Sequence, residues 1–237
     1  MKEDDILGSK ANGGFWVIHI LRQQIPHEEF DYQTLLDALE AYSRPRDKIT
    51  GLLKKGMIIR VKKGLYIFEE TYRKKSYSKE ILANLVYGPS YISLDYALQH
   101  YGLIPERVEA VTSITTGRSR SFSTPVGLFT YRSVPLKAFR VGMDRVEMDE
   151  GRAFLIATPE KALADKIQSD RGAGNQTQKA LTAYLENDLR VDMTRLAGLD
   201  PKSLDDMARR YRSRKIARLS SLVRRSRRHV KKEKIHA

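Results

Sequence analysis

A chain of 237 residues with 41% apolar and 30% charged side chains has the composition of a globular protein, and its length suits one large domain or two modest ones. It contains no cysteine, which excludes a disulfide framework, a thiolate zinc site and a cysteine nucleophile. No apolar run approaches the roughly 18 residues needed to cross a bilayer, and Met1-Lys2-Glu3-Asp4-Asp5 lacks the apolar core of a signal peptide, so a cytoplasmic protein with no membrane partner is expected. The net charge of +14 is uneven. Residues 1–75 carry 14 Lys/Arg against 11 Asp/Glu, residues 76–208 carry 16 against 17, and residues 209–237 carry 13 against 1. Basic character therefore lies near the N-terminus and in the tail, and the middle is electrically ordinary.

In chain order, the first helix is predicted over Phe15–Gln24, after Ala11-Asn12-Gly13-Gly14 and before Pro26. A second starts with Asp31 as N-cap and buries Leu35, Leu36 and Leu39. A third begins near Ser43–Pro45, where proline suits a first turn, and Gly56 is placed to end it. Its apolar positions Ile49, Leu52 and Leu53 share one side. At 100° per residue the opposite side carries Asp47, Thr50, Gly51 and Lys54, with Arg44 and Lys55 beside it. From Met57 to Phe68 the period changes to two, and Ile59, Val61, Leu65 and Ile67 read as strand residues around the turn Lys62-Lys63-Gly64.

Helix, turn, helix and β-wing in that order is how a small domain presents one helix to a DNA major groove. Arg44, Arg46, Lys48, Lys54, Lys55, Arg60, Lys62 and Lys63 face a single acid, Asp47, within twenty residues. Such a local excess suits phosphate-backbone binding, because counterion release supplies most of the sequence-independent affinity. Thr50 and Lys54 are candidates to reach base edges or phosphates, and Gly51 would let the helix backbone approach the groove or is simply a tolerated helix glycine. Asp47 complements the helix N-terminus or accepts from a cytosine amino group. Arg60, Lys62 and Lys63 on the wing would meet phosphates or a minor groove, or form a solvated turn, with DNA contact the favoured reading directly after a basic helix.

Thr71–Lys79 reads as a linker or the first turn of a further helix. Beyond it, Ser93 reads as N-cap of a helix over Leu94–His100 that Gly102 ends. Strands are predicted at Val111–Thr115, Phe122–Ser123 and Leu128–Val134, with an antiparallel pair at Phe139–Met148 and Ala153–Ala157. Thr158-Pro159-Glu160 combines a cap, a first-turn proline and a first-turn acid, and leads into K-A-L-A-D-K-I. Gln176–Asn187 and Ser203 onward are helical. The predicted class is α+β: a winged helix-turn-helix over 12–70, a mixed α+β domain over 80–210 with helices after its sheet, and a basic helical tail over 211–237.

The segment R-P-R-D-K-I-T-G-L-L-K-K-G-M-I-I-R-V-K-K-G-L-Y (44–66) resembles the winged-helix N-terminal domain of AbiEi-type antitoxins. G-P-S-Y-I-S-L-D-Y-A-L-Q-H-Y-G-L-I-P-E (88–106), V-T-S-I-T-T-G-R-S-R-S-F (111–122) and A-T-P-E-K-A-L-A-D-K (157–166) are similar to that family's second domain, so the likeness covers roughly residues 12–170. It implies a DNA-binding autorepressor and antitoxin of a type IV toxin–antitoxin, or abortive-infection, operon. It implies binding to promoter inverted repeats, as a dimer or cooperatively, through the helix 44–55 and wing 60–64. It further implies a C-terminal domain that counters a nucleotidyltransferase-like toxin, classically without a stable complex. The tail after Tyr211 has no match in the family pattern.

Arg118 and Arg120, read as lying in a hairpin turn, can contact nucleic acid or a partner, or pair with local carboxylates. In the tail, Ile216, Leu219, Leu222 and Val223 form one helical stripe, and arginines including Arg224, Arg225, Arg227 and Arg228 occupy the remainder. A docked helix, a nucleic-acid arm (RNA included) and a membrane-surface helix compete there; the absence of Trp and Phe from the stripe weighs against membrane. The five histidines have no ligand spacing, so neither metal nor cofactor is expected. A nuclease-like enzyme is the alternative, resting on Glu160 and Asp165, but residues five apart do not share a helix face. No catalytic residue is expected.

Overall fold

The computed structural model describes residues 13–170 and 177–236. The architecture is α+β, and the chain forms two compact units: the described part of Met1–Leu82 with Thr124–Val126, and Ala83–Ser123 with the chain from Gly127 onward.

In the first unit, α1 (Gly13–Gln24), β1 (Glu29–Asp31), α2 (Tyr32–Ala38), α3 (Pro45–Lys54), β2 (Ile58–Lys62) and β3 (Leu65–Phe68) follow one another. The three strands form an antiparallel sheet in the order β1-β3-β2. Asp31 caps α2 as its side chain suggests, accepting from the Thr34 N–H at 2.8 Å. Val17, Ile18, Leu21, Leu35, Leu39, Ile49, Leu52, Ile58 and Phe68 share one core. Burying each large apolar side chain contributes about 1.5–3 kcal/mol, so this core holds the three helices on the sheet. Strand β1 was not legible in the sequence, being three residues long, and β2 departs from simple alternation. A bulge between Arg60 and Lys62 shifts the register, so Ile58 and Val61 are buried while Ile59 is only half-buried.

The stretch read as a linker is held down by acids. The buried Glu28 pairs bidentately with Arg22 and also accepts from the Lys74 and Lys75 N–H groups, while Glu29 accepts from the Ser78 N–H. These carboxylates satisfy backbone donors over 74–78 that a free linker would leave to water.

In the second unit, β4 (Ser90–Ile92), α5 (Leu94–His100), β5 (Val111–Thr115), β6 (Arg120–Thr124), β7 (Gly127–Ser133), α6 (Leu136–Phe139), β8 (Met143–Glu147), β9 (Ala153–Ala157), α7 (Pro159–Ser169), α8 (Gln178–Ala183), α9 (Met193–Gly198), α10 (Pro201–Tyr211) and α11 (Arg214–His236) follow α4 (Lys79–Val86), which starts in the first unit. The sheet runs β6-β7-β5-β4-β9-β8. It is mixed, with β4 parallel to β9, β5 parallel to β7, and β8 antiparallel to β9. The helices are therefore not all gathered after the sheet: α5 and α6 sit between strands. Residues from Phe139 begin no strand, because Leu136–Phe139 is a helical turn and β8 starts at Met143. Strand β4 is buried along its whole length, so it shows no alternation. Helices α7 to α11 pack on one another, and α11 is docked by Ile216, Leu219, Leu222 and Val223, all buried.

Candidate nucleic-acid interface

Helix α3 is delimited as its sequence suggests. Pro45 occupies its first turn. Gly56 ends it at φ +67°, with its N–H donating to Leu53 O at 3.1 Å and the Met57 N–H to Leu52 O at 3.0 Å. That pair of bonds is a Schellman cap, and the left-handed residue it needs is a glycine. Ile49 and Leu52 are buried, so the opposite face is turned out by the same rotation.

On that face Asp47, Thr50 and Lys54 are exposed, as are Arg44, Arg46, Lys48 and Lys55 on α3 and its ends. Arg60 and Lys63 are exposed on the adjoining hairpin, where Gly64 turns the chain at φ +86°, and Lys62 is half-buried. The sequence-derived set is thus brought together on one helix and the hairpin joined to it. Of its eight cations, Arg44, Arg46, Lys48, Lys54, Lys55, Arg60 and Lys63 form no ion pair among the described residues. Two side chains are locally engaged. The Lys48 ammonium lies 4.8 Å from the Tyr42 ring centroid, and the Thr50 hydroxyl donates to Arg46 O at 3.0 Å, leaving its lone pairs outward.

Gly51 lies in mid-helix with ordinary φ, and a Cβ added there would meet nothing within 4 Å. Packing does not require a glycine here, yet a helix-interior glycine costs about 0.5–1 kcal/mol relative to alanine.

Arg118 and Arg120 are exposed, but not in a hairpin turn. β5 and β6 are separated by β7, so the segment between them is a crossover. The Arg120 guanidinium carbon lies 5.7 Å from the Tyr87 ring centroid. In the tail, Arg225, Arg227 and Arg228 are exposed, whereas Arg224 is paired with Asp205 and bonded to Ser220 at 2.8 Å. Arg224 is thereby committed inside its own unit.

Asp165 is wholly buried. Its carboxylate accepts from Ser93 Oγ at 2.7 Å, Tyr91 OH at 3.2 Å and Tyr211 OH, and pairs with Lys161 Nζ at 2.7 Å. Lys161, also wholly buried, donates to Ala138 O at 2.9 Å. Burial holds the Lys161 ammonium below its ordinary pKa despite the neighbouring carboxylate, and pushes the Tyr91 and Tyr211 hydroxyls up. Glu160 is turned elsewhere, accepting from the Asp200 N–H at 2.9 Å. The two acids are not brought to a common open site. Among the described residues, no group of three or more His, Asp or Glu could hold a metal ion, and no helix is long and apolar enough to cross a membrane. The sequence did carry a trace of the buried cluster: Lys161 and Asp165 are i,i+4 partners flanking Ala162, Leu163 and Ala164, the spacing at which opposite charges meet.

No family model matches the chain, and no curated protein matches it.

Proposed function

We propose that the protein is a DNA-binding transcription regulator whose α1–α3 and β2–β3 hairpin form a winged helix-turn-helix. In this reading α3 lies in the major groove, with Thr50 and Lys54 toward base edges, and the hairpin cations Arg60, Lys62 and Lys63 meet phosphates. The observation that carries it is seven exposed, ion-pair-free cations on one helix and its adjoining hairpin, surrounding a mid-helix glycine that packing does not require. Cations without acidic partners are available to phosphates, and a missing Cβ shortens the approach of a helix to a groove wall. The motif resemblance over 44–66, 88–106, 111–122 and 157–166 extends the proposal: an autorepressor acting in the cytoplasm on promoter inverted repeats, and an antitoxin against a nucleotidyltransferase-like toxin.

The test is an electrophoretic shift with the chain's own upstream DNA and a scrambled duplex, at low and near-physiological salt. Preference for the upstream DNA should persist at the higher salt. Replacing Thr50 or Lys54 by alanine should relax that preference, whereas Lys63→Ala should weaken both duplexes alike. Specific binding unchanged in a combined Arg44→Ala, Lys54→Ala, Lys63→Ala variant overturns the assignment.

A further inference from the structure

Helix α11 has two opposed faces of different chemistry. On one, Ile216, Leu219 and Val223 are fully buried and Leu222 nearly so. On the other, Arg214, Arg218, Ser221, Arg225 and Arg228 follow at steps of four, three, four and three, which keeps them on one line. At 1.5 Å per residue this line is about 21 Å long. Arg214, Arg225 and Arg228 on it are exposed and form no ion pair among the described residues. Arg227 continues the packed side, four residues after Val223, and yet is exposed. The support under the helix therefore ends near Val223, while the helix runs on to His236.

Three occupants were open for such a helix, and the packing separates them. An interfacial membrane helix needs an apolar face free to enter lipid, and here that face is spent on α7, α9 and α10. Pairing within the protein is met by Arg224 with Asp205, while Glu186, beside Arg225 on a shallow groove, is accompanied there by Lys179. After Asp206 the sequence contains a single acid, Glu233, against the tail's cations. What remains are the exposed guanidinium groups of Arg214, Arg225 and Arg228 along one line of the helix, which suit repeated phosphates by bidentate bonding.

We propose that the arginine face of α11 is a second, sequence-independent binding surface for the phosphate backbone of duplex DNA. It rests on the reading of this chain as a DNA-binding protein, and it places an affinity-bearing element in the second unit. The α3 face sets which sequence is preferred, and the α11 face adds attraction common to all duplexes.

The experiment uses the full chain. Fluorescence anisotropy measures binding to labelled upstream and scrambled duplexes between 50 and 200 mM salt. Three proteins are compared: wild type, an Arg214→Gln, Arg225→Gln, Arg228→Gln variant, and the Arg44→Ala, Lys54→Ala, Lys63→Ala variant. Glutamine keeps helix propensity at exposed positions, so folding is preserved. The α11 variant should weaken both duplexes by the same factor, about tenfold or more, with the salt slope reduced by up to about 0.9 for each phosphate no longer neutralised. Its preference ratio should stay that of wild type. Wild-type affinity and slope in the α11 variant overturn the proposal, as does a loss confined to the upstream duplex. Loss of binding to anionic phospholipid vesicles or single-stranded RNA with duplex binding intact also overturns it. If the α3 variant keeps its sequence preference, the α3 reading fails while the α11 surface stands.

Discussion

Replacing Asp165 by alanine should destabilise the second unit by several kcal/mol, with a pH dependence that identifies the cause. The carboxylate accepts from Tyr91, Ser93 and Tyr211 and pairs with Lys161 at 2.7 Å, with both charged side chains fully buried. Removing one partner of such a pair costs about 3–5 kcal/mol, because the other charge is left uncompensated. The upper end follows from the escape open to Lys161, which is to lose its proton. From the ordinary lysine value of 10.5 down to pH 7, at about 1.36 kcal/mol per pH unit, neutralisation costs about 5 kcal/mol. In the variant the folded state then holds a neutral Lys161 and the unfolded chain a charged one. The unfolded state binds the extra proton, so stability rises with pH until about 10.5. Raising the pH from 7 to 9 should stabilise Asp165→Ala by up to about 2.7 kcal/mol, more than it stabilises wild type, where the carboxylate still favours the charged Lys161. Urea unfolding followed by circular dichroism at both pH values reads this directly. A Lys161→Met, Asp165→Leu double variant removes both charges and should abolish the pH dependence, while the hydroxyls of Tyr91, Ser93 and Tyr211 still lose their acceptor. A cost below about 1 kcal/mol, or a larger one indifferent to pH, would refute the account of the buried pair.

Two further outcomes bear on the first unit. Gly51→Ala should stabilise α3 by about 0.5–1 kcal/mol, since the new Cβ meets nothing within 4 Å, and should weaken binding to the upstream DNA. Thermal unfolding and anisotropy on one preparation test it; an unweakened complex removes Gly51 from the interface. Asp31→Ala should cost about 1 kcal/mol at neutral pH through loss of the α2 cap. Thr34, through its backbone N–H and then its hydroxyl, holds the Asp31 carboxyl below the ordinary 3.8, so its contribution is present above that value and lost as pH falls through the lower folded one. Denaturation from pH 7 to pH 2 should show variant and wild type converging only below about pH 4, and convergence at higher pH would refute the capping account.

Local chemistry made the helix ends legible. Proline in the first turns of α3 and α7, Asp31 and Thr158 as caps, and Gly56 as terminator all act through neighbours a few residues away. Strands were harder where pairing is distant or interrupted. β1 acquires its identity only from β3, and the bulge between Arg60 and Lys62 shifts which residues of β2 are buried. β4 is three buried residues between β5 and β9, with no period to read. Ser93 illustrates how a local rule is overridden. It precedes α5 as an N-cap should, but its hydroxyl donates to Asp165 instead of receiving a backbone N–H. The candidate interface face of α3 was legible because rotation about a helix is local information. Arg224 was not, because only the fold shows that Asp205 takes it.

Charge partition follows the same logic and bears more on function than the net +14 does. In the electrically ordinary middle of the chain several cations are matched to acids, such as Lys166 with Asp95 and Arg195 with Asp192, and at the start of the tail Arg209 and Arg210 are matched to Asp206. Exposed pairs of this kind contribute about 0–1 kcal/mol each to stability, but they also occupy both charges. On α3 with its hairpin, and on α11, the pattern is reversed: one stripe is buried, and Arg44, Arg46, Lys48, Lys54, Lys55, Arg60 and Lys63 on the first and Arg214, Arg225, Arg227 and Arg228 on the second are exposed and form no ion pair among the described residues. Unpaired like charges on one helix repel one another and disfavour the free protein slightly. A polyanion relieves that repulsion on binding. The two helices share this construction in separate compact units, and α3 alone sets its cations around a glycine open to close approach. That difference is the physical basis for assigning sequence reading to α3 and backbone attraction to α11.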